Sequence, residues 1–182
     1  MKIRLAANLQ LDSIVDGEGI RTVIWTQGCS HNCPYCHNPQ THDFKGGEEV
    51  NIEDIIQRIN HLEGQDGITF SGGDPMFQAR QCAVIAKHAK EIGLNVWAYT
   101  GFTFEELIEK NNTEIMNFIE NIDVIIDGKF DINQKSLDLK FRGSTNQRVI
   151  DVKKSLKEKR VVLLYNELTK SCEEKNKEII FI

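Results

Sequence analysis

Residues 20–36 read Ile20-Arg-Thr-Val-Ile-Trp-Thr26, then Gln27-Gly28, then Cys29-Ser-His-Asn-Cys33-Pro-Tyr-Cys36. Six of the first seven are β-branched or aromatic, which is a strand pattern, and Gln27-Gly28 ends it. Three cysteines therefore leave the C-terminal end of a strand as one loop. An iron-sulfur cube is held by cysteine thiolates, and this spacing can supply three of its four corners. Cys82 and Cys172 lie far along the chain. The economical reading is three local ligands, Cys29, Cys33 and Cys36, and one iron open to an exchangeable ligand, which points to chemistry at that iron rather than electron storage. Zinc is the competing reading, with His31, His37 or His42 completing a Cys3His tetrahedron. The spacing favours the cluster and leaves zinc open.

Outward from this loop the pattern alternates strand and helix. Asn51 is placed to cap a helix whose Ile52, Ile55, Ile56, Ile59 and Leu62 make one apolar stripe. Ile68-Thr69-Phe70 is a short buried strand leading into Ser71-Gly72-Gly73-Asp74-Pro75. A helix follows with Met76, Ala79, Ala83, Ala86 and Ala89, and Gly93 is its stop. Leu94–Tyr99 is the next strand. Thr103-Phe-Glu-Glu106 matches a capping box, Val124-Ile125-Ile126 is another buried strand, and Arg160–Tyr165 supplies a late one.

Such alternation predicts an α/β fold of parallel βαβ units with right-handed crossovers. The chain is too short for eight units, so the expectation is an open partial (β/α) barrel, a mostly parallel sheet with outer helices. Reactive groups gather at the C-terminal ends of parallel strands. The cysteine loop, Gly72-Gly73-Asp74-Pro75, Tyr99-Thr100-Gly101 and Asp127-Gly128-Lys129 each follow a proposed strand, so all four should meet at one edge. Gly72-Gly73 suits such a place, because residues without a β-carbon let backbone approach a ligand closely.

At 182 residues the expectation is one domain over 1–182, with 166–182 a peripheral tail. A chain of this size buries roughly 70% of its unfolded surface, so a metal is not needed to hold the fold. Hydrophobic residues make up 40% and charged ones 27%, and no apolar run reaches membrane-span length. Met1-Lys2-Ile3-Arg4 leads into no signal-like block. Five cysteines, three of them clustered, fit a reducing cytoplasm better than a disulfide framework. A net charge of -5 leaves no global basic footprint for nucleic acid. Lys153–Arg160 is locally basic, which reads as a solvated helix face. Cys82, on the apolar side of a helix, reads as core, and Cys172 as incidental.

Cys29-x3-Cys33-x2-Cys36, with Tyr35 before the last cysteine, resembles the signature of radical S-adenosylmethionine enzymes, and Ser71–Pro75 resembles their motif for the methionine amino group. Asp16-Gly17-Glu18-Gly19-Ile20-Arg21, Gln27–Pro39, Asp127–Phe130 and Phe141–Arg148 are more narrowly similar to the activases of glycyl radical enzymes, in particular those acting on anaerobic ribonucleoside-triphosphate reductase. The likeness covers roughly residues 10 to 165. Asp74 stands where many relatives have glutamate, and the tail after Lys170 matches nothing.

The resemblance implies a 4Fe-4S cluster on Cys29, Cys33 and Cys36 whose open iron chelates S-adenosylmethionine. One electron, from a reduced flavodoxin-type donor, then yields methionine and a 5'-deoxyadenosyl radical. That radical takes a hydrogen from a glycine α-carbon of the partner reductase. By the same resemblance Tyr35, Cys36 and the His37 backbone line the adenosine site, and Gly72, Gly73 and Asp74 hold the methionine end. Lys129 pairs with the methionine carboxylate, Asp127 with the ribose or a cation, and Thr100 adds an oxygen to that cation. Asp16 and the Arg142–Arg148 loop would face the partner, with turn chemistry and a solvated connection as the plain alternatives. His31 and His42 receive no role. No nucleic acid or membrane partner is expected, and the assembly is left open between a homodimer and a heterotetramer with the reductase.

Other readings compete. An activase of another glycyl radical enzyme, such as pyruvate formate-lyase, shares the Gly-Ile-Arg and Tyr-Cys-His-Asn-Pro stretches but is normally longer. Carboxy-deazaguanine synthases are short too, but their altered cysteine-loop spacing is absent. A non-enzymatic zinc-binding module leaves Gly72–Pro75 and Asp127–Lys129 unexplained.

Overall fold

A computed structural model describes residues 1–165; the expected tail, with Cys172, lies outside the described residues. Eight strands form one sheet: β1 (Lys2–Leu5), β2 (Gln10–Ser13), β3 (Arg21–Thr26), β4 (Glu48–Asn51), β5 (Gly67–Gly72), β6 (Asn95–Tyr99), β7 (Val124–Asp127) and β8 (Arg148–Asp151). Their order is β4-β1-β3-β5-β6-β7-β8, with β2 also on β3. The centre, β3-β5-β6-β7, is parallel as expected. The margins are antiparallel, β1 to both β3 and β4, β2 to β3, and β8 to β7. The two end strands, β4 and β8, do not pair with each other, so the sheet stays open.

Five helices, α1 (Ile52–Asn60), α2 (Ala79–Glu91), α3 (Phe104–Glu109), α4 (Thr113–Ile119) and α5 (Val152–Glu158), accompany it. The stripe in α1 buries Ile52, Ile55 and Ile59. Asn51 does sit at its N-cap but makes no side-chain cap; the Ile52 N–H donates instead to the Met1 carbonyl at 2.9 Å, because β1 lies alongside β4. The capping box of α3 is formed, with the Glu106 N–H donating to Thr103 Oγ1 at 3.2 Å and the Thr103 N–H to the Glu106 carboxylate at 2.8 Å. Cys82 is wholly buried on α2 with Ile85, Ala86 and Ala89.

Strand side chains alternate between two faces. The helix-covered face takes Ile24, Ile68, Phe70, Val96, Ala98, Ile125 and Ile150 into the main core, where the Phe70 and Phe118 rings meet edge to face at 5.1 Å. The opposite face carries a smaller cluster of Trp97, Val124, Ile126 and Val149, joined by Tyr99, Phe141, Leu164 and Tyr165.

One element differs from the sequence reading. The late strand is Arg148–Asp151, whereas 160–165 contributes a single bridge from Leu163 to Ile150, and Leu164 and Tyr165 lie over the small apolar cluster. The basic run sits on and just after α5, where Lys153 pairs with Asp123 and Lys154 with Asp151. No helix among the described residues is long and apolar enough to cross a membrane.

Candidate functional site

Parallel pairing puts Thr26 at the end of β3 directly beside Gly72 at the end of β5. The loops that continue from them are therefore stitched together. The Gly73 N–H donates to the Thr26 carbonyl at 2.7 Å and the Asp74 N–H to the Gly28 carbonyl at 3.0 Å. On its other side the cysteine loop is held by the Gly28 and Cys29 N–H groups, which donate to the Thr41 and His42 carbonyls. Gln27 closes its base, its amide donating to the Gln40 and Asp43 carbonyls.

Cys29, Cys33 and Cys36 are half-buried and face one cavity of ≈ 660 Å³. The Asn38 N–H donates to Cys36 Sγ at 3.4 Å, and the backbone N–H groups of His31 and Phe130 lie near enough to Cys29 and Cys33 to favour their thiolates. Desolvation pushes the Cys29 thiol up to about 11, helped by the nearby Asp74, Cys33 and Cys36. Cys33 is raised chiefly by the same burial, with Lys129 acting the other way. Burial makes the Cys29 and Cys33 thiols resist ionising alone, and a multiply charged cationic centre relieves that cost. The donor set, three sulfurs on one loop with backbone N–H groups close by, fits an iron-sulfur cluster, whose potential responds to such groups.

Asp74 is the hub beside these thiols. Its side chain is 2% exposed. One oxygen, Oδ1, accepts the Met76 N–H and so caps the 3₁₀ turn Pro75–Gln78. The other, Oδ2, accepts Thr100 Oγ1 and the Gly101 N–H, both at 2.9 Å, and lies 2.7 Å from His31 Nε2. His31, given no role from the sequence, is thus tied into the centre of the site. Its position between two of the three clustered cysteines was the available signal.

All four expected loops meet at the cavity: Cys29, His31, Cys33, Cys36 and His37 from the first, Gly72–Asp74 from the second, Tyr99–Gly101 from the third, and Gly128–Phe130 from the fourth. Thr100 lines it while donating to Asp74, and exposed Lys129 stands on its wall. Asp16 lines it too, accepting a hydrogen bond from Ser13 Oγ. The Asp16–Gly19 turn is anchored from below by buried Arg21, which donates to the Glu18 carbonyl and to Thr69 Oγ1; Thr69 in turn donates to the Asp16 carbonyl.

Two expected contacts are corrected. Asp127 points to the helix-covered face, because Val124 and Ile126 occupy the other and the strand alternates. Its carboxylate, 1% exposed, accepts the Phe104 N–H at the start of α3 and two hydrogen bonds from Arg148, which also grips Glu105. It is therefore committed to the fold rather than to a ribose or cation. Tyr35, at φ +57°, turns its ring outward to 79% exposure and takes no part in the cavity wall. The 142–148 segment folds on itself around Gln147, whose Oε1 accepts the Gly143 and Ser144 N–H groups and whose amide donates to the Gly128 carbonyl. Arg142, Gly143 and Gln147 thereby form cavity wall.

Fold and site together define an iron-sulfur domain, and residues 15–150 match the family model described as a 4Fe-4S single cluster domain. A protein of Salmonella typhimurium (strain LT2) named anaerobic ribonucleoside-triphosphate reductase-activating protein is 35% identical over 144 residues, 75% of this chain and 91% of its own length. The chain belongs to the family of anaerobic ribonucleoside-triphosphate reductase-activating proteins. The pyruvate formate-lyase-activating enzyme of Clostridium pasteurianum is 35% identical over 118 residues, 60% of this chain and 50% of that protein. The crystal structure of QueE from Escherichia coli superposes on 57% of this chain and 54% of that one, with a TM-score of 0.47 and 14% identity.

Proposed function

We propose that this protein is a radical S-adenosylmethionine activase that generates a glycyl radical on an anaerobic ribonucleoside-triphosphate reductase. The observation that carries the reading is the convergence of three half-buried cysteines and the Gly72-Gly73-Asp74 turn on one cavity. Cys29, Cys33 and Cys36 would hold a 4Fe-4S cluster. When bound, that cluster supplies the electron for reductive cleavage of S-adenosylmethionine and an open iron for its amino acid end.

The chain's own residues bind, orient and exclude water. Gly72 and Gly73 let their turn lie backbone to backbone against Thr26 and Gly28 at the base of the cysteine loop, so that their carbonyls would stand beside it for the methionine end. Lys129, on the wall and close enough to Cys33 to favour its thiolate, is the cation for the methionine carboxylate. The His37 ring packs 4.6 Å from Phe130 and Gly143 fits tightly against both, which fixes the backbone after Cys36 for the adenosine. Asp16, with exposed Ile14 and Val15 beside it on the cavity wall, faces where an extended glycine-bearing segment must enter. Positioning matters most here, because a primary carbon radical must meet its target within contact distance and away from solvent. A reduced flavodoxin-type protein is the proposed donor, and the reductase the proposed partner in the complex.

Anaerobic reconstitution tests the proposal. The protein should be brown, carry about four irons per chain, cleave S-adenosylmethionine when reduced, and raise a glycine doublet in electron spin resonance on mixing with the reductase. A colourless zinc protein would overturn the mechanism. Cleavage without the doublet, together with a doublet on pyruvate formate-lyase, would reassign the partner.

A further inference from the structure

We infer that His31 is a positioning residue for S-adenosylmethionine: through Asp74 it sets the cysteine loop at a fixed distance from the Gly72-Gly73 turn. The inference rests on the activase reading and assigns a role inside that site.

His31 lies between the ligands Cys29 and Cys33, so any shift of its ring shifts the loop that carries both. The ring is buried, at 7% side-chain exposure, and boxed by aromatic edges, with Phe102 at 4.6 Å and Phe77 at 5.9 Å. The Gly101 backbone closes the remaining side so tightly that a β-carbon there would stand 2.5 Å from the imidazole. Its Nε2 is 2.7 Å from Asp74 Oδ2. A carboxylate only accepts, and that oxygen already receives the Thr100 hydroxyl and the Gly101 N–H, so the imidazole is the donor.

With Oδ1 taken by the Met76 N–H, the Asp74 carboxylate accepts four hydrogen bonds from three loops. Oδ2 is fully occupied by three of these, and Oδ1 keeps a single acceptor direction beside its bond from the Met76 N–H. Asp74 thus acts first as an organiser that ties three loops together, with the methionine amino group shared between the backbone carbonyls of the glycine turn and at most one direction of Oδ1. The consequence is mechanical. A ligand that must reach an iron on one loop and backbone groups on another binds well only if their separation is set beforehand, and losing that setting weakens binding before it touches the cysteines.

The test compares His31→Leu, which fills the space without a donor, with His31→Gln, whose amide N–H can reach Asp74. In cluster-free protein, hydrogen exchange at the Gly101 amide should quicken in His31→Leu and stay near the native rate in His31→Gln. In reconstituted protein, both variants should keep about four irons per chain. The S-adenosylmethionine dissociation constant, read from the change in the reduced cluster's spin resonance spectrum, should rise about tenfold in His31→Leu and be largely restored in His31→Gln. An unchanged constant in His31→Leu, or unchanged Gly101 exchange, overturns the positioning role and leaves the activase reading standing. A native protein that carries iron and shows no spectral response to S-adenosylmethionine overturns that reading, and this inference with it.

Discussion

Gly73 lies directly against Gly28: a β-carbon on Gly73 would stand 2.5 Å from the Gly28 carbonyl oxygen. The neighbour is backbone at the base of the cysteine loop and cannot swing aside. Gly73→Ala should therefore separate the two loops, with a stability loss of about 1–3 kcal/mol. S-adenosylmethionine binding should weaken more than the fold does. Thermal unfolding and a ligand titration on the same preparation check this, and native-like binding would refute the close stitching.

Cys33 sits in a half-buried loop outside both apolar clusters. Cys33→Ala should lose its cluster and all cleavage of S-adenosylmethionine while the cluster-free protein unfolds within about 0.5 kcal/mol of native. Circular dichroism and an iron assay separate the two effects. Collapse of the fold would mean that the metal is structural.

Lys129 stands on the cavity wall, exposed. Lys129→Met keeps the apolar stem and removes the charge, so the dissociation constant for S-adenosylmethionine should rise roughly ten- to a hundredfold, as expected for losing one charge-assisted hydrogen bond of about 1.5–3 kcal/mol. Iron content should not move. A constant unchanged by the substitution would place the methionine carboxylate elsewhere.

Asp123 accepts hydrogen bonds from Lys90 at 2.6 Å and from the Val96 N–H at 2.8 Å, and pairs with Lys153 at 3.1 Å. Burial alone would raise its pKa, but these partners together hold it below the ordinary 3.8. A lowered folded value means that stability is present above the unfolded value and lost as pH falls through the folded one. Asp123→Asn should cost about 1–2 kcal/mol at pH 7, and the gap to native should narrow below about pH 4. Unfolding curves at pH 7 and pH 3 measure it; a gap independent of pH would remove the ionic contribution.

The parallel centre of the sheet was legible because β3, β5, β6 and β7 are buried on both faces and so read as continuous apolar runs. The margins were not. β2 and β4 are short, polar and mostly exposed, with nothing in their own residues to mark pairing. Val149-Ile150 is a two-residue apolar core between charged neighbours, and it is a strand only because β7 offers an edge. The apolar residues of 161–165 divide their packing, Val161 on the main core and Leu164 with Tyr165 on the small cluster, and a single bridge ties the segment to β8. Asp127 looked like a ligand by standing at a strand end, and counting alternation from Ile126 would have turned it away.

The order of residues alone pointed to the chemistry of this protein while leaving zinc open, since three thiols within one loop and a glycine pair after a strand need no distant partner to be recognised. It also fixed local devices such as the Thr103 capping box. Which side chains serve the cavity and which serve the fold was settled by tertiary structure. The His31 to Asp74 contact spans 43 residues, and Arg148 to Asp127 spans 21. Each exists only once strand pairing brings its two ends together, parallel at the centre of the sheet for the first and antiparallel between β7 and β8 for the second, so its meaning is carried by the packed sheet rather than by neighbouring residues.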